Sequence, residues 1–289
     1  MKYPPSELVL NANGEVYHLG LSPDKIAKDI ILVGDQDRVK LISDFFDTVE
    51  HKSQHREFCC HTGTYKGKRF SAISTGIGTD NIDIVVNELD ALVNIDLINR
   101  TDNPRGQTLR MVRIGTCGIL QPEIPVHSYI LSRFAVGLDN VAHFYPITFS
   151  EEENQLAQSL STHSGLPKTI VPYASKASET LFDLLSSEKT FSGITMTSSG
   201  FYAPQGRSLR LGLSVEKINE HLQSYRHGNV SVTNFEMESS ALFALGKAMG
   251  HECATICLGI ANRPKNEFSK GYDNEMNQLI QYVLDKLSQ

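Results

Sequence analysis

Met111–Gln121, Met-Val-Arg-Ile-Gly-Thr-Cys-Gly-Ile-Leu-Gln, is an apolar run that carries one arginine, Arg113, into the small-residue turn Gly115–Gly118 and then turns apolar again. Glycines let a backbone come close to a ligand, because no Cβ stands in the way. A threonine hydroxyl and adjacent N–H groups cradle an anion, and a guanidinium grips two of its oxygens at once. Taken alone, the stretch is just as well an ordinary strand-to-loop turn whose arginine reaches solvent, since short glycine motifs recur widely. The rest of the chain separates the two.

Just upstream, the polar patch Asn99–Gly106 follows Asn81–Ile98, whose apolar residues recur at helical spacing. A strand, Arg69–Thr75, precedes that helix and ends in Gly76-Ile77-Gly78. Earlier still, Ile30–Val33 reads as a buried strand that runs through Gly34-Asp35-Gln36-Asp37-Arg38 into a helix over Val39–Phe46. A strand, a glycine turn and a helix start favour an anion through backbone N–H groups and the helix dipole. Arg38 sits in that first turn, and Asp35 or Asp37 caps the helix in either case. Residues 1–20 read as an irregular arm ending in Val16-Tyr17-His18-Leu19-Gly20. Between these segments His51–His61 holds three histidines and two cysteines. Its spacing matches no zinc pattern, and strand alternation sends Cys59 and Cys60 to opposite faces, so no metal is expected.

Downstream, Ser128–Val136, Gly193–Thr197 and Ala254–Ile260 read as strands. Ser150 and Glu153 form a capping box at the start of a helix. Ala177–Ser187, Val215–Arg226 and Met237–Met249 read as helices, the last closed by Gly250, and Tyr272–Leu287 as a terminal amphipathic helix. Strands alternating with helices over the full length indicate an α/β sandwich. With no repeat and no linker-like shift in composition, residues 1–289 are expected to form a single domain.

At 40% hydrophobic and 21% charged residues, the composition is that of an ordinary globular protein. A net charge of −6 gives no general pull toward nucleic acid, so an anionic ligand needs local arginines. Neither a signal-peptide pattern nor a membrane-length apolar run is present; Ile82–Ile98, the nearest, is broken by Asp83, Glu88, Asp90 and Asp96. Five cysteines, odd in number and without CxxC spacing, fit reduced thiols. A cytoplasmic location without membrane contact is expected.

Three further segments carry chemistry. Phe201–Arg207 places an aromatic, the amide of Gln205 and the guanidinium of Arg207 in one loop; it suits a heterocycle stacked on Phe201 and read edge-on, or a surface turn made by Pro204 and Gly206. Asn234–Ser239 sets Glu236 and Glu238 around Met237, which is also what a helix N-terminus stabilised by acids looks like. Gly259–Arg263 leaves the last strand.

In this order, Gly34-Asp-x-x-Arg38, His55–Phe58, Thr75–Gly78, Arg113-Ile-Gly-Thr-x-Gly118, Phe201-Tyr-x-x-Gln205-x-Arg207, Phe235–Ser239 and Asn262-Arg263 make the chain resemble the nucleoside phosphorylases of the uridine phosphorylase type, from His18 to about Arg263. The resemblance implies a three-layer α/β/α sandwich around a central mixed β-sheet, assembled as homodimers or as hexamers built of dimers. It implies a phosphate site of Gly34, Arg38, Arg113 and Thr116, with Arg56 reaching the phosphate from the neighbouring subunit. His18 would cross the same interface to the ribose 5′-hydroxyl, and Glu236, Met237 and Glu238 would hold the sugar. Phe201, Gln205 and Arg207 would hold uracil, with Ile260 and Ala261 as an apolar wall and Arg263 in support. Inorganic phosphate is the implied co-substrate, with no metal or organic cofactor. Thr79-Asp80-Asn81 departs from the family after the Thr-Gly-Ile-Gly motif, which bears on the interface cation of some members, a site to which Glu57 would belong. Gly259–Arg263 lacks the acid that purine-specific relatives carry there, so a pyrimidine is expected. The alternatives are a purine or methylthioadenosine phosphorylase or nucleosidase on the same fold, or a non-catalytic nucleoside-binding protein. A dinucleotide-binding domain is the weakest alternative, since neither Gly76-Ile77-Gly78 nor Gly115–Gly118 supplies the third glycine of GxGxxG.

Overall fold

Four strands of continuous apolar character lie side by side because they are buried on both faces, as parallel strands covered by helices must be. The computed structural model describes residues 2–289. In chain order its first strands and helices are β1 (Asp29–Val33), α1 (Gln36–Ser43), β2 (Thr48–His55), β3 (Phe58–Tyr65), β4 (Lys68–Ser74), α2 (Thr79–Asn94), β5 (Ile95–Asp96) and β6 (Thr101–Asp102). They are followed by β7 (Arg110–Ile119), β8 (Tyr129–Gly137), α3 (Glu151–Ser164), β9 (Tyr173–Lys176), α4 (Glu179–Leu185) and β10 (Thr190–Thr197). The chain ends with α5 (Ile218–Ser224), β11 (Arg226–His227), β12 (Val230–Glu236), α6 (Ser239–Ala248), β13 (Glu252–Asn262), β14 (Glu267–Phe268) and α7 (Asp273–Leu287).

The main sheet is mixed, in the order β11-β12-β10-β8-β13-β7-β1-β4-β3-β2. Strands β4, β1, β7 and β13 run parallel, while β13 meets β8 antiparallel. Three pairings lie off this path: β9 pairs antiparallel with β8, β14 antiparallel with β13, and Asn234 and Phe235 of β12 bond antiparallel to Ile119 and Gly118 of β7. The sheet therefore curls until β7, β13, β8, β10 and β12 form a closed ring. Register shifts in β10 and β13 supply the extra bend such curling needs.

Helices cover both faces. Leu8, Val16, Leu19 and Leu21 of the amino-terminal arm pack with Val85 and Leu89 of α2 and Leu242 and Leu245 of α6 on one side. Val39 and Ile42 of α1, Leu181 of α4 and Leu279, Ile280 and Val283 of α7 pack on the other. Strand alternation in β3 puts Cys60 in the first cluster and Cys59 in the second, as expected from the sequence. All five cysteines are free and buried. The Ser150–Glu153 capping box forms, and Glu153 also accepts from the Lys176 N–H at 2.8 Å and from Lys247 Nζ at 2.7 Å.

Three expectations need correction. Gly115–Gly118 is not a turn: it lies within β7 and pairs with Cys257–Ala261 of β13, whose register shift takes up the irregularity. Helix α2 stops at Asn94, not Ile98, because Ile95–Asp96 pairs with Thr101–Asp102 and the Asp96 carboxylate accepts from the Ile98 and Asn99 N–H groups. The strand β12 was not recognised, and the helix read from Met237 starts at Ser239. Among the described residues no helix is long and apolar enough to cross a membrane.

Candidate active site

The carboxyl ends of β1, β7, β12 and β13 open into a cavity of about 850 Å³, where the crevice beyond strand ends commonly holds ligands. Of the sequence candidates, Gly34, Arg38, Arg113, Thr116, Phe201, Gln205, Arg207, Glu236, Met237, Glu238, Ile260 and Ala261 line it.

One end of the cavity is cationic. Asp35 caps α1 by accepting from the Asp37 N–H, so Arg38 is carried into the first turn and buried. Burial works against the Arg38 charge and Asp35 supports it. Among the described residues no carboxylate lies within ion-pairing reach of Arg38, so a buried guanidinium stands ready for an anion. Arg113 projects from β7, equally buried, and is gripped by two carboxylates: Nη1 lies 3.3 Å from Glu236 Oε2, and Nη2 pairs with Glu238 Oε2. Burial again opposes the charge, but Glu238 and Glu236 outweigh it and hold Arg113 well above the ordinary arginine value. Nη1 also points at the Cys257 sulfur, 3.4 Å away.

This packing explains Gly115. The guanidinium folds back over its own strand, so a methyl at residue 115 would overlap Arg113 Nη1 and stand 2.9 Å from Cys257 Sγ. Gly115→Ala should displace the guanidinium and lower turnover by about tenfold or more, at a stability cost of about 1–3 kcal/mol. Wild-type turnover in a folded Gly115→Ala protein would show that Arg113 tolerates displacement.

Next to Arg113 lie the two acids. Glu238 Oε1 accepts from the Gly78 N–H at 2.7 Å, which ties the turn after β4 to the start of α6. Burial raises the Glu238 pKa, with Arg113 pulling the other way and Glu236 adding to the rise. Beyond the acids, Gln205 is buried and its Oε1 accepts from Arg207 Nη1 at 2.6 Å. Arg207 stacks on Phe201, 3.7 Å from guanidinium carbon to ring centroid. One face of Phe201 is therefore covered by Arg207, a contact the sequence reading did not foresee. Burial and then the nearby Arg263 lower the Arg207 pKa to about 10. Arg263 supports from behind, donating to the Gln205 carbonyl at 3.2 Å.

His18 and Arg56 do not line this cavity. His18 is held by Glu88, which accepts from its ring Nδ1 at 2.7 Å and from its backbone N–H. Arg56 is exposed at the β2–β3 turn in the left-handed region, φ 55°, and lies over the Tyr17 ring at 5.5 Å. A non-glycine residue in that conformation carries strain that tends to persist where a side chain is needed. Ile77, Asn81, Glu57 and Phe268 also line the cavity. Glu57 and Ile77 lie within two of the quoted motifs but were given no part in this cavity; Ile77 and Phe268 betray themselves only as apolar residues left exposed at a rim.

The cavity thus has the chemistry to hold two ligands side by side: an oxyanion against guanidinium groups, and a polyol carrying a planar heterocycle against carboxylate and amide. The chain belongs to the phosphorylase superfamily, whose family model matches residues 28–287. Over 274 residues it is 29% identical to the uridine phosphorylase of Thermococcus kodakarensis, covering 95% of this chain and 87% of that protein. The crystal structure of a Trypanosoma brucei nucleoside phosphorylase, said to show uridine phosphorylase activity, superposes with a TM-score of 0.90 at 30% identity, covering 98% and 99% of the two chains. A DeoD-type purine nucleoside phosphorylase of Brevibacillus brevis is 29% identical over 217 residues, 71% of this chain and 86% of that one.

Proposed function

We propose that the protein is an enzyme of pyrimidine nucleoside breakdown and salvage, a pentosyltransferase that splits uridine reversibly with inorganic phosphate into uracil and α-ribose 1-phosphate. Deoxyuridine is a further substrate under this reading. The observation that carries it is Arg38, a buried guanidinium without a carboxylate, facing the same cavity as Arg113. A nucleosidase that uses water has no need of two such groups, and a binding protein has no use for a bound nucleophile.

Phosphate sits against Arg38, Arg113, Thr116 and the Gly34 turn, which neutralise and aim it at C1′. Glu238 accepts from the sugar hydroxyls and favours the positive charge that develops on the ring as the bond to the base breaks. Met237 lies along the sugar. Uracil leaves with growing negative charge on its carbonyls, where Gln205 and Arg207 donate, backed by Arg263, with Ile260 and Ala261 as the apolar wall. Attack from the opposite face inverts C1′. No metal or organic cofactor takes part; phosphate is the co-substrate. Nucleic acid and membranes are not partners, and the enzyme works in the cytoplasm.

The half-buried His18 and the exposed Arg56 both lie against Tyr17 and serve the site of a second copy in a homodimer or a hexamer of dimers. Mixing His18→Ala with Glu238→Ala subunits restores part of the activity if sites are shared; no recovery in verified hetero-oligomers would make each site self-contained.

The decisive assay is uracil release from uridine with and without phosphate, beside hypoxanthine release from inosine. Phosphate-dependent turnover of uridine over inosine is expected. Faster inosine turnover would move the enzyme to the purine group, and phosphate-independent cleavage would make it a nucleosidase. Gln205→Ala should cut uridine turnover by about 100-fold and leave phosphate affinity within about twofold, because the amide faces the base alone. Equal losses for both ligands would remove Gln205 from base reading.

A further inference from the structure

Glu236 differs from Glu238 in how its oxygens are spent. Oε1 accepts from Thr197 Oγ1 at 2.5 Å and from the Ser239 N–H at 3.1 Å. Oε2 accepts from the Glu238 N–H at 2.9 Å and the Ser239 N–H at 3.0 Å, with Arg113 Nη1 3.3 Å away. An ionised carboxylate offers about four acceptor positions, and all are taken, which leaves none for a sugar hydroxyl. Glu238 has one partner on each oxygen and keeps room.

Thr197 completes the arrangement. It is the last residue of β10, fully buried, and it does not line the cavity. Its hydroxyl donates to Glu236 and accepts from the Ser240 N–H at 3.0 Å, so its rotor is locked. Glu236 and Thr197 together satisfy the N–H groups of Glu238, Ser239 and Ser240, three of the four free donors at the start of α6. That turn is the backbone from which Glu238 projects.

From this we infer that Thr197 and Glu236 form a positioning pair: neither binds the sugar, and together they set Glu238 and Arg113 in place for the nucleoside and the phosphate. The role rests on the reading of the cavity as a phosphorolysis site. It acts on the sugar and phosphate ends and not on the base end, because Gln205 and Arg207 are held by a separate loop.

The test uses the full-length Thr197→Val and Thr197→Ser proteins. Valine keeps the volume and removes the donor, leaving one oxygen of a buried carboxylate short of a partner. Thr197→Val should lose about tenfold in kcat and raise the KM for phosphate about fivefold, while inhibition by free uracil stays within twofold. Thr197→Ser, which keeps the hydroxyl, should recover most of both. Thermal unfolding of each variant reports whether it is folded at the assay temperature. A folded Thr197→Val protein with wild-type kcat and phosphate KM would overturn the inference, as would equal weakening of uracil and phosphate. Should Thr197→Val not fold, Glu236→Gln in the same assay takes its place with the same expected split. Wild-type protein run alongside separates the two levels: if it fails to release uracil with phosphate, the phosphorolysis reading falls, whatever the variants do.

Discussion

Arg113→Ala is expected to lower kcat/KM for uridine phosphorolysis by at least about 10³-fold, because under the proposed function the residue gives phosphate a two-toothed grip. The same change leaves Glu236 and Glu238 facing each other without their shared cation. Breaking a buried ion pair from one side costs about 3–5 kcal/mol, so thermal unfolding should drop as well. Arg113→Lys separates the two effects. A lysine returns the charge and much of the stability but not the planar fork, so activity should remain low. Steady-state kinetics and thermal melts on both variants check this; near-normal turnover in Arg113→Ala would remove the residue from the site.

Glu238→Gln is expected to cost about 10²–10³-fold in kcat, since an amide no longer balances positive charge on the sugar. Its fold should survive, because the amide oxygen still accepts from the Gly78 N–H. Phosphate should bind the variant at least as well as wild type: Arg113 is no longer drawn to Glu238, and one negative charge has gone from beside the dianion. The pH profile provides a second readout. Burial raises the Glu238 pKa, and catalysis needs the ionised form, so wild-type kcat/KM falls on acidification at a pH above the ordinary glutamate range. Glu238→Gln should lose that acid limb. A variant with unchanged kcat would mean that Glu238 does not hold the sugar, and weaker phosphate binding would mean that its pairing with Arg113 is needed to hold that guanidinium in place.

Most of this could be read in the sequence because it is local. The apolar run of β1 followed by Gly34 and Arg38 is a strand, a turn and a helix start whatever lies elsewhere. The capping box at Ser150 and Glu153 likewise depends on residues three apart. What escaped depended on distant partners. Strand β12 hid because Asn234–Ser239 has the acids of a helix start, and its pairing with β7 joins residues more than 100 positions apart. Helix α2 was read four residues too long because the β5–β6 hairpin that ends it is itself a tertiary choice.

By itself the sequence determined the alternation of strands and helices and the glycine turns at Gly34 and Gly76–Gly78; the set of arginines, acids and amide was implied by the family resemblance that its ordered motifs carry. Period, capping and turn chemistry act between near neighbours in the chain. Only the tertiary structure decided that Arg38 stays without a carboxylate while Arg113, 125 positions from Glu238, has two. It also decided that Arg207 covers Phe201 and that Glu236 has no acceptor to spare. Charge compensation and hydrogen-bond saturation are properties of groups brought together by packing, and the closing of β12 onto β7 is what brings these groups together.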